Sequence, residues 1–151
     1  MTLTIHVQRE DFDIADEIAA VSDGRTDIGA VVTFTGVCRD EEGGLAALEL
    51  EHYAGMAEAE IARVVDEAAG RWPLQGVTVI HRYGRIVPGE NIVLVVTAST
   101  HRGAAFAAAE FLMDYLKTRA PFWKREHRTS GESGAWVDAK RADDAAAERW
   151  R

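Results

Sequence analysis

The run from Ile28 to Val37, Ile-Gly-Ala-Val-Val-Thr-Phe-Thr-Gly-Val, is β-branched and largely apolar, the pattern of a buried strand. Such a strand needs neighbours for its backbone groups and a layer to cover it. Leu3 to Val7 alternates apolar and polar residues and predicts a further strand. Leu45 to Tyr53 alternates as well, and its place after the turn Gly43-Gly44 predicts that it folds back on Ile28–Val37 as the antiparallel partner. Val77–Tyr83 and Ile92–Thr100 predict two more strands, separated by Gly84 and the turn Val87-Pro88-Gly89-Glu90.

Three helices can supply the cover. Asp13 to Val21 carries Ile14, Ile18 and Val21 at helical spacing. From Met56 to Trp72 the positions Ile61, Val64, Val65, Ala68, Ala69 and Trp72 make an apolar stripe that Pro73 ends. From about Gly103 to Thr118 the stripe is Ala108, Phe111, Leu112, Tyr115 and Leu116. Pro121 then blocks further helix, and Phe122 to His127 reads as a strand, followed by a loop from Thr129 to Gly134 and a polar, alanine-rich helical tail at 141–151. The chain shows no internal repeat, low-complexity tract or linker. Its 151 residues, 47% of them hydrophobic, suffice for one core without a disulfide or structural metal. The expectation is a single α+β domain over residues 1–151 on an antiparallel or mixed sheet, with strand order left open.

Charge and cysteine usage narrow the function. A net charge of −8 argues against a general nucleic-acid binder, because the overall field repels the phosphate backbone. No stretch approaches ~20 consecutive apolar residues, and the N-terminus lacks a basic segment followed by an apolar one, so a membrane or exported protein is not expected. Cys38 has no second cysteine to pair with, and no Cys/His spacing resembles a zinc site, which predicts a reducing compartment, the cytoplasm. Against this acidic background the segment His101–Arg128 inverts the sign: six Lys/Arg against three acids give it +3, leaving −11 for the rest.

Within that segment two places suit chemistry. Ser99-Thr100-His101-Arg102 sits where a strand runs into a helix, so Ser99 or Thr100 can cap the helix while His101 and Arg102 add donors suited to a phosphate. Ordinary capping with two solvated side chains accounts for the same residues. Lys117 closes that helix, where it can simply complement the dipole or pair with Asp114. Pro121 turns the chain at once into a strand bearing Lys124, which brings a second ammonium back toward the first. Each of two neighbouring cations makes the neutral, proton-accepting form of the other more accessible. A third place is Gly36-Val37-Cys38-Arg39, at the end of the buried strand. Arg39 can grip a carboxylate or phosphate bidentately, whereas Cys38 has no activating neighbour and reads as a packing residue. Glu51 and His52 fall on opposite faces of their strand.

Several stretches in order resemble the large subunit of molybdopterin synthase, the MoaE family: Gly29-Ala-Val-Val-Thr-Phe-Thr-Gly, Leu50-Glu-His-Tyr-Ala-Gly-Met, Val79-Ile-His-Arg-Tyr-Gly and Pro88-Gly-Glu. Ser99-Thr-His-Arg-Gly-Ala-Ala-Phe and Met113-Asp-Tyr-Leu-Lys-Thr-Arg-Ala-Pro-Phe-Trp-Lys-Arg-Glu complete the series. The resemblance covers about Gly29 to Val137 and implies the family's α/β hammerhead type of α+β fold. It implies conversion of a cyclic pyranopterin monophosphate to molybdopterin, with sulfur taken from the thiocarboxylated Gly-Gly C-terminus of a small ubiquitin-like subunit. No cofactor is implied, since the pterin is the substrate, and the implied assembly is a homodimer of large subunits within a heterotetramer. The resemblance makes Lys117 and Lys124 catalytic and puts Val37, Cys38, Arg39, His101, Arg102, Arg125 and Glu126 at substrate-pocket positions, with Lys140 a further pocket contributor. Two departures stand out. Val37 occupies a position that is basic in some relatives, and Lys140 one that is more often arginine, so a bidentate grip is lost there. The competing reading is a non-catalytic module whose basic pocket binds a phosphorylated metabolite or an acidic protein tail.

Overall fold

Two sheets divide the strands. In the computed structural model, which describes residues 1–40, 42–137 and 146–151, the elements run β1 (Thr2–Gln8), α1 (Ile14–Ser22), β2 (Ala30–Val37), β3 (Leu45–His52), α2 (Met56–Arg71), β4 (Gly76–Arg82), β5 (Gly84–Ile86), β6 (Asn91–Ser99), α3 (Arg102–Arg119) and β7 (Phe122–Arg128). The larger sheet has the order β1-β4-β6-β2 and the smaller one β5-β3-β7. Only β1 and β4 run parallel, so the larger sheet is mixed and the smaller antiparallel. The α+β expectation holds.

Strands β4 and β6 are buried along nearly their whole length because both faces of the larger sheet are covered. On one face Val77, Val79 and Val95 pack with Ile61, Val64 and Val65 of α2 and Phe111, Leu112 and Tyr115 of α3. On the other, Ile80, Leu94, Val96 and Ala98 pack with Val21 of α1. Asp13 starts α1 by accepting from the Asp16 amide at 3.0 Å. Gly29 lets β2 begin against the 99–100 backbone, since a Cβ there would lie 2.1 Å from the Thr100 carbonyl oxygen. A third cluster, Cys38, Leu45, Leu50 and Ile86, sits under the smaller sheet.

One expectation about pairing needs correction. Strand β3 does not fold back on β2; it pairs with β5 and β7. A period of two fixes which residues share a face but not which strand lies alongside. The connection from β2 is long enough to carry the chain into another sheet, where Asp40 accepts from the Leu45 amide at 3.0 Å. The stretch Gly84–Ile86, for which the sequence predicts no element, forms the short strand β5, which begins at a glycine with φ of 89°. Three residues are too few to show a period.

Of the predicted C-terminal tail, 146–148 are helical and 141–145 lie outside the described residues, as does Lys140. Ala147 and Trp150 pack on the α2–α3 core, with Trp150 edge-on to Trp72 and Phe111 at 5.7 and 5.6 Å.

Candidate active-site cleft

Leucine side chains make the floor of a cleft that opens where the end of α3 meets the smaller sheet. Leu45, Leu48 and Leu50 come from β3, and Leu116, Lys117 and Ala120 from the end of α3. Strand β7 contributes Phe122, Trp123, Lys124, Glu126 and Arg128, while Val37, Cys38, Arg39, His81, Ile92 and Val137 complete the wall. The volume is about 330 Å³, at the small end of the range for metabolite sites.

Pro121 is the reason both lysines reach this space. It stops α3 just past Lys117, and the chain returns at once as β7, paired with β3 so that Lys124 lies opposite Leu50. The Lys124 backbone is held on its other side by Val137, through bonds of 2.9 and 2.7 Å. Alternation along β7 then sends Phe122, Lys124, Glu126 and Arg128 into the cleft. The alternative surface pairing of Lys117 with Asp114 is absent, because Asp114 accepts from Arg149 and from the Trp150 indole. Arg119, also in the last turn of α3, pairs with Glu67 at 2.9 Å.

The structure sorts the other sequence candidates. Val37, Cys38, Arg39 and Glu126 line the cleft, and Glu126 is paired with Arg128 at 2.6 Å. Cys38 is buried, its Sγ 3.9 Å from the Ile86 carbonyl oxygen, and burial, reinforced by Glu90 and Asp40, pushes the thiol up. That environment suits packing and not a thiolate nucleophile.

Arg125 faces away from the cleft, against expectation. Its guanidinium lies 4.5 Å over the Trp136 ring on the outer side of the smaller sheet, where strand alternation puts it. His101 and Arg102 are likewise absent from the lining; they begin α3, roughly 22 Å along the helix axis from Lys117 at 1.5 Å per residue. Neither Ser99 nor Thr100 caps that helix. Ser99 donates to the Pro73 carbonyl, Thr100 bonds Gln75, and His101 stands at the N-cap without a side-chain bond. The basic segment therefore forms no single patch. Its charges divide between the two ends of α3 and two faces of β7.

Sequence reasoning missed His81 as a lining residue. Its Nδ1 lies 2.8 Å from the Arg82 carbonyl oxygen, and its ring stacks on Phe122 with centroids 3.8 Å apart. Burial, with Lys117 and His52 adding to it, lowers its pKa to about 4, so the imidazole is neutral. The available signal was a lone histidine inside an apolar strand. His52 turns inward onto Tyr83 and Phe122, while Glu51 stays half-exposed on the outer face, as alternation predicts. Among the described residues no cluster of three or more His, Cys, Asp or Glu is placed to hold a metal.

A family model described as MoaE protein matches residues 7–119, which include Lys117. The chain belongs to the MoaE family. Among MoaE-family relatives, the molybdopterin synthase catalytic subunit of Mesorhizobium japonicum is 69% identical over 148 residues, covering 98% of this chain and 93% of that protein. The solved structure of the molybdopterin biosynthesis MoaE protein from Burkholderia ambifaria superposes with a TM-score of 0.85 at 48% identity, covering 99% and 98% of the two chains. A chain in the complex of subunits 1 and 2 of molybdopterin-converting factor from Helicobacter pylori shares the fold, with a TM-score of 0.70 at 20% identity over 92% and 90%.

Proposed function

We propose that this MoaE-family chain is the catalytic subunit of a molybdopterin synthase, an enzyme that converts a cyclic pyranopterin monophosphate to molybdopterin. The sulfur comes from the thiocarboxylated C-terminus of a small ubiquitin-like partner ending in Gly-Gly. The observation that carries the reading is the meeting of Lys117 and Lys124 in one cleft, delivered by a helix end and the strand that Pro121 forces to follow it. The curated relative at 69% identity bears the same activity in its name.

The lining fits that chemistry. The nucleophile is the partner's thiocarboxylate, so the chain has no need of a thiol of its own, and its single cysteine is buried with a raised pKa. Arg39 and the two lysines supply positive charge for a phosphate and for an incoming carboxyl terminus. A lysine held beside a second lysine serves as the group that moves protons as the pterin side chain opens. The pterin is substrate, and no cofactor takes part. A Gly-Gly tail is thin enough to thread beside Arg39 and Lys117 without a side chain in the way.

His101 and Arg102 enter through the assembly. In a homodimer of large subunits they serve the cleft of the second copy, which removes the conflict of finding them a helix length from Lys117. Exposed Phe106, one turn along from Arg102, and exposed Phe34 on the edge strand β2 provide apolar surface for such a contact. We place the enzyme in the cytoplasm, as one domain over residues 1–151. Among the described residues no helix is long and apolar enough to cross a membrane.

The test is reconstitution with the pterin precursor and a thiocarboxylated partner, followed by detection of dithiolene product. The native partner should support turnover, whereas a partner amidated or extended by one residue at its C-terminus should not, even where calorimetry still detects association. Equal activity from native and extended partners would mean that the tail does not enter this cleft. Binding of a phosphorylated metabolite without any turnover would favour the non-catalytic module.

A further inference from the structure

His101 and Arg102 stand on the corner that joins β6 to α3, and neither side chain makes a hydrogen bond or ion pair with any described residue. Their direction is therefore set by the backbone of the corner. Ser99, before it, is buried and donates to the Pro73 carbonyl at 2.6 Å. Thr100 is exposed, yet it is held from two sides. Gly29 packs on its carbonyl oxygen, in space that a Cβ would fill, and Gln75 holds its hydroxyl. Nε2 of Gln75 has two protons, and the Thr100 oxygen at 2.9 Å and the Asp27 carbonyl oxygen at 2.8 Å take both. The Asp27 carboxylate, 3.3 Å from the same nitrogen, is held in turn by two bonds from Arg25 at 2.9 and 2.8 Å.

The backbone behind this amide is fixed. The Gln75 N–H donates to the Ala98 carbonyl at 2.8 Å, its carbonyl accepts from the Thr2 amide at 3.0 Å, and the chain leads straight into β4. The other half of the side-chain amide is unsatisfied: Oε1 is buried without a hydrogen-bond partner among the described residues. An orphaned buried acceptor costs about as much as a net hydrogen bond contributes, so the side chain adds little to stability, and its effect is on where Thr100 sits. We propose that Gln75 is a positioning residue for His101 and Arg102, its amide pinning Thr100 so that both side chains leave the corner in one direction. The role in turnover rests on the reading above, in which these two residues serve the cleft of the second copy.

The bond can be cut from either end. Gln75→Leu removes the amide at similar size, Thr100→Val removes the hydroxyl, and Thr100→Ser keeps it. The first measurement needs neither partner nor pterin: limited trypsin cleavage after Arg102, read by peptide mass spectrometry. Cleavage requires the corner to open locally, so its rate should rise about threefold to tenfold in Gln75→Leu and in Thr100→Val, the worth of one net hydrogen bond, and stay near wild type in Thr100→Ser. The second is turnover with the thiocarboxylated partner, where KM for the pterin precursor should rise by a similar factor in the first two variants, with kcat changed less. The third separates the copies. In a mixed dimer with Lys117→Ala on one copy and Gln75→Leu on the other, the one competent cleft faces an intact corner and should show the wild-type KM. With both substitutions on one copy and none on the other, the competent cleft faces the loosened corner, and KM should be raised. The same two arrangements with Arg102→Ala in place of Gln75→Leu test the reading on its own: no difference between them moves Arg102 out of the second copy's cleft. An unchanged cleavage rate in folded Gln75→Leu overturns the proposal. Equal or reversed KM values for Gln75→Leu, where Arg102→Ala does distinguish the arrangements, overturn it equally. Should Gln75→Leu fail to fold, Thr100→Val carries the same tests, mixed dimers included. Raised cleavage with no turnover in the wild-type protein would instead sink the catalytic reading and leave the anchor at Thr100 standing.

Discussion

Arg149 holds the Asp114 carboxylate with two donors, Nε at 3.1 Å and Nη2 at 2.7 Å, and so takes away the acid on α3 that Lys117 would otherwise meet. The end of the chain thereby bears on the cleft without lining it. It also bears on stability, because Trp150 follows Arg149 and packs edge-on against Trp72 and Phe111.

Trp150→Ala should lower stability by about 2 kcal/mol, less than the ~3–5 kcal/mol of a fully buried tryptophan because this side chain is only partly buried. Arg149→Ala removes a pair whose arginine is half-exposed to water and should lower stability far less. Urea unfolding midpoints decide between the two. A midpoint unchanged by Trp150→Ala would mean that the tail adds nothing to the core.

Lys117→Ala should abolish product formation while the fold survives, since a lysine in the last helical turn contributes only ~0.3–1 kcal/mol through the dipole. Circular dichroism and a turnover assay on the same preparation give both halves of the result. Lys124→Ala, on the facing strand of the same cleft, should behave alike. Turnover near wild type in either variant would remove that lysine from the mechanism.

Cys38→Ser should keep most of the activity. The thiol is buried and its pKa raised by burial and by Glu90 and Asp40, so little thiolate is present to lose. A folded but inactive Cys38→Ser protein would bring back a thiol mechanism.

His81 gives the fold a pH dependence with a definite window. Its pKa is lowered from 6.5 to about 4 in the folded protein, so the unfolded chain binds the proton that the folded chain refuses. The contribution is fully present above pH 6.5 and is lost as the pH falls toward 4. Asp27, held at about 2 by its hydrogen bond to Arg25, acts in a separate and more acid range. Unfolding midpoints between pH 7 and 4 should therefore fall more steeply for the wild type than for His81→Phe, and parallel curves would contradict the assignment.

The helices were legible because each carries its own signals: an apolar stripe of period 3.6 and, for two of them, a Pro73 or Pro121 stop. The buried strands β2, β4 and β6 were legible from β-branched apolar runs, and Lys117 and Lys124 from the helix, proline and strand between them. Even the faces of β7 were written in its alternation, which puts Lys124 on the cleft side and Arg125 over Trp136 on the other.

What the local sequence did not contain was partnership. Whether Leu45–His52 pairs with β2 or with β7 depends on competition between chain segments far apart, and period two is satisfied either way. The same limit hid His81, whose surroundings come from β3, β7 and α3 at once, and it let His101 and Arg102 look like neighbours of Lys117. Sequence by itself determined the elements, their faces and the residue types that chemistry can use. Tertiary structure alone decided which of them share a cleft, because distance across a folded chain is set by strand pairing and helix length, and neither is stored in any one segment.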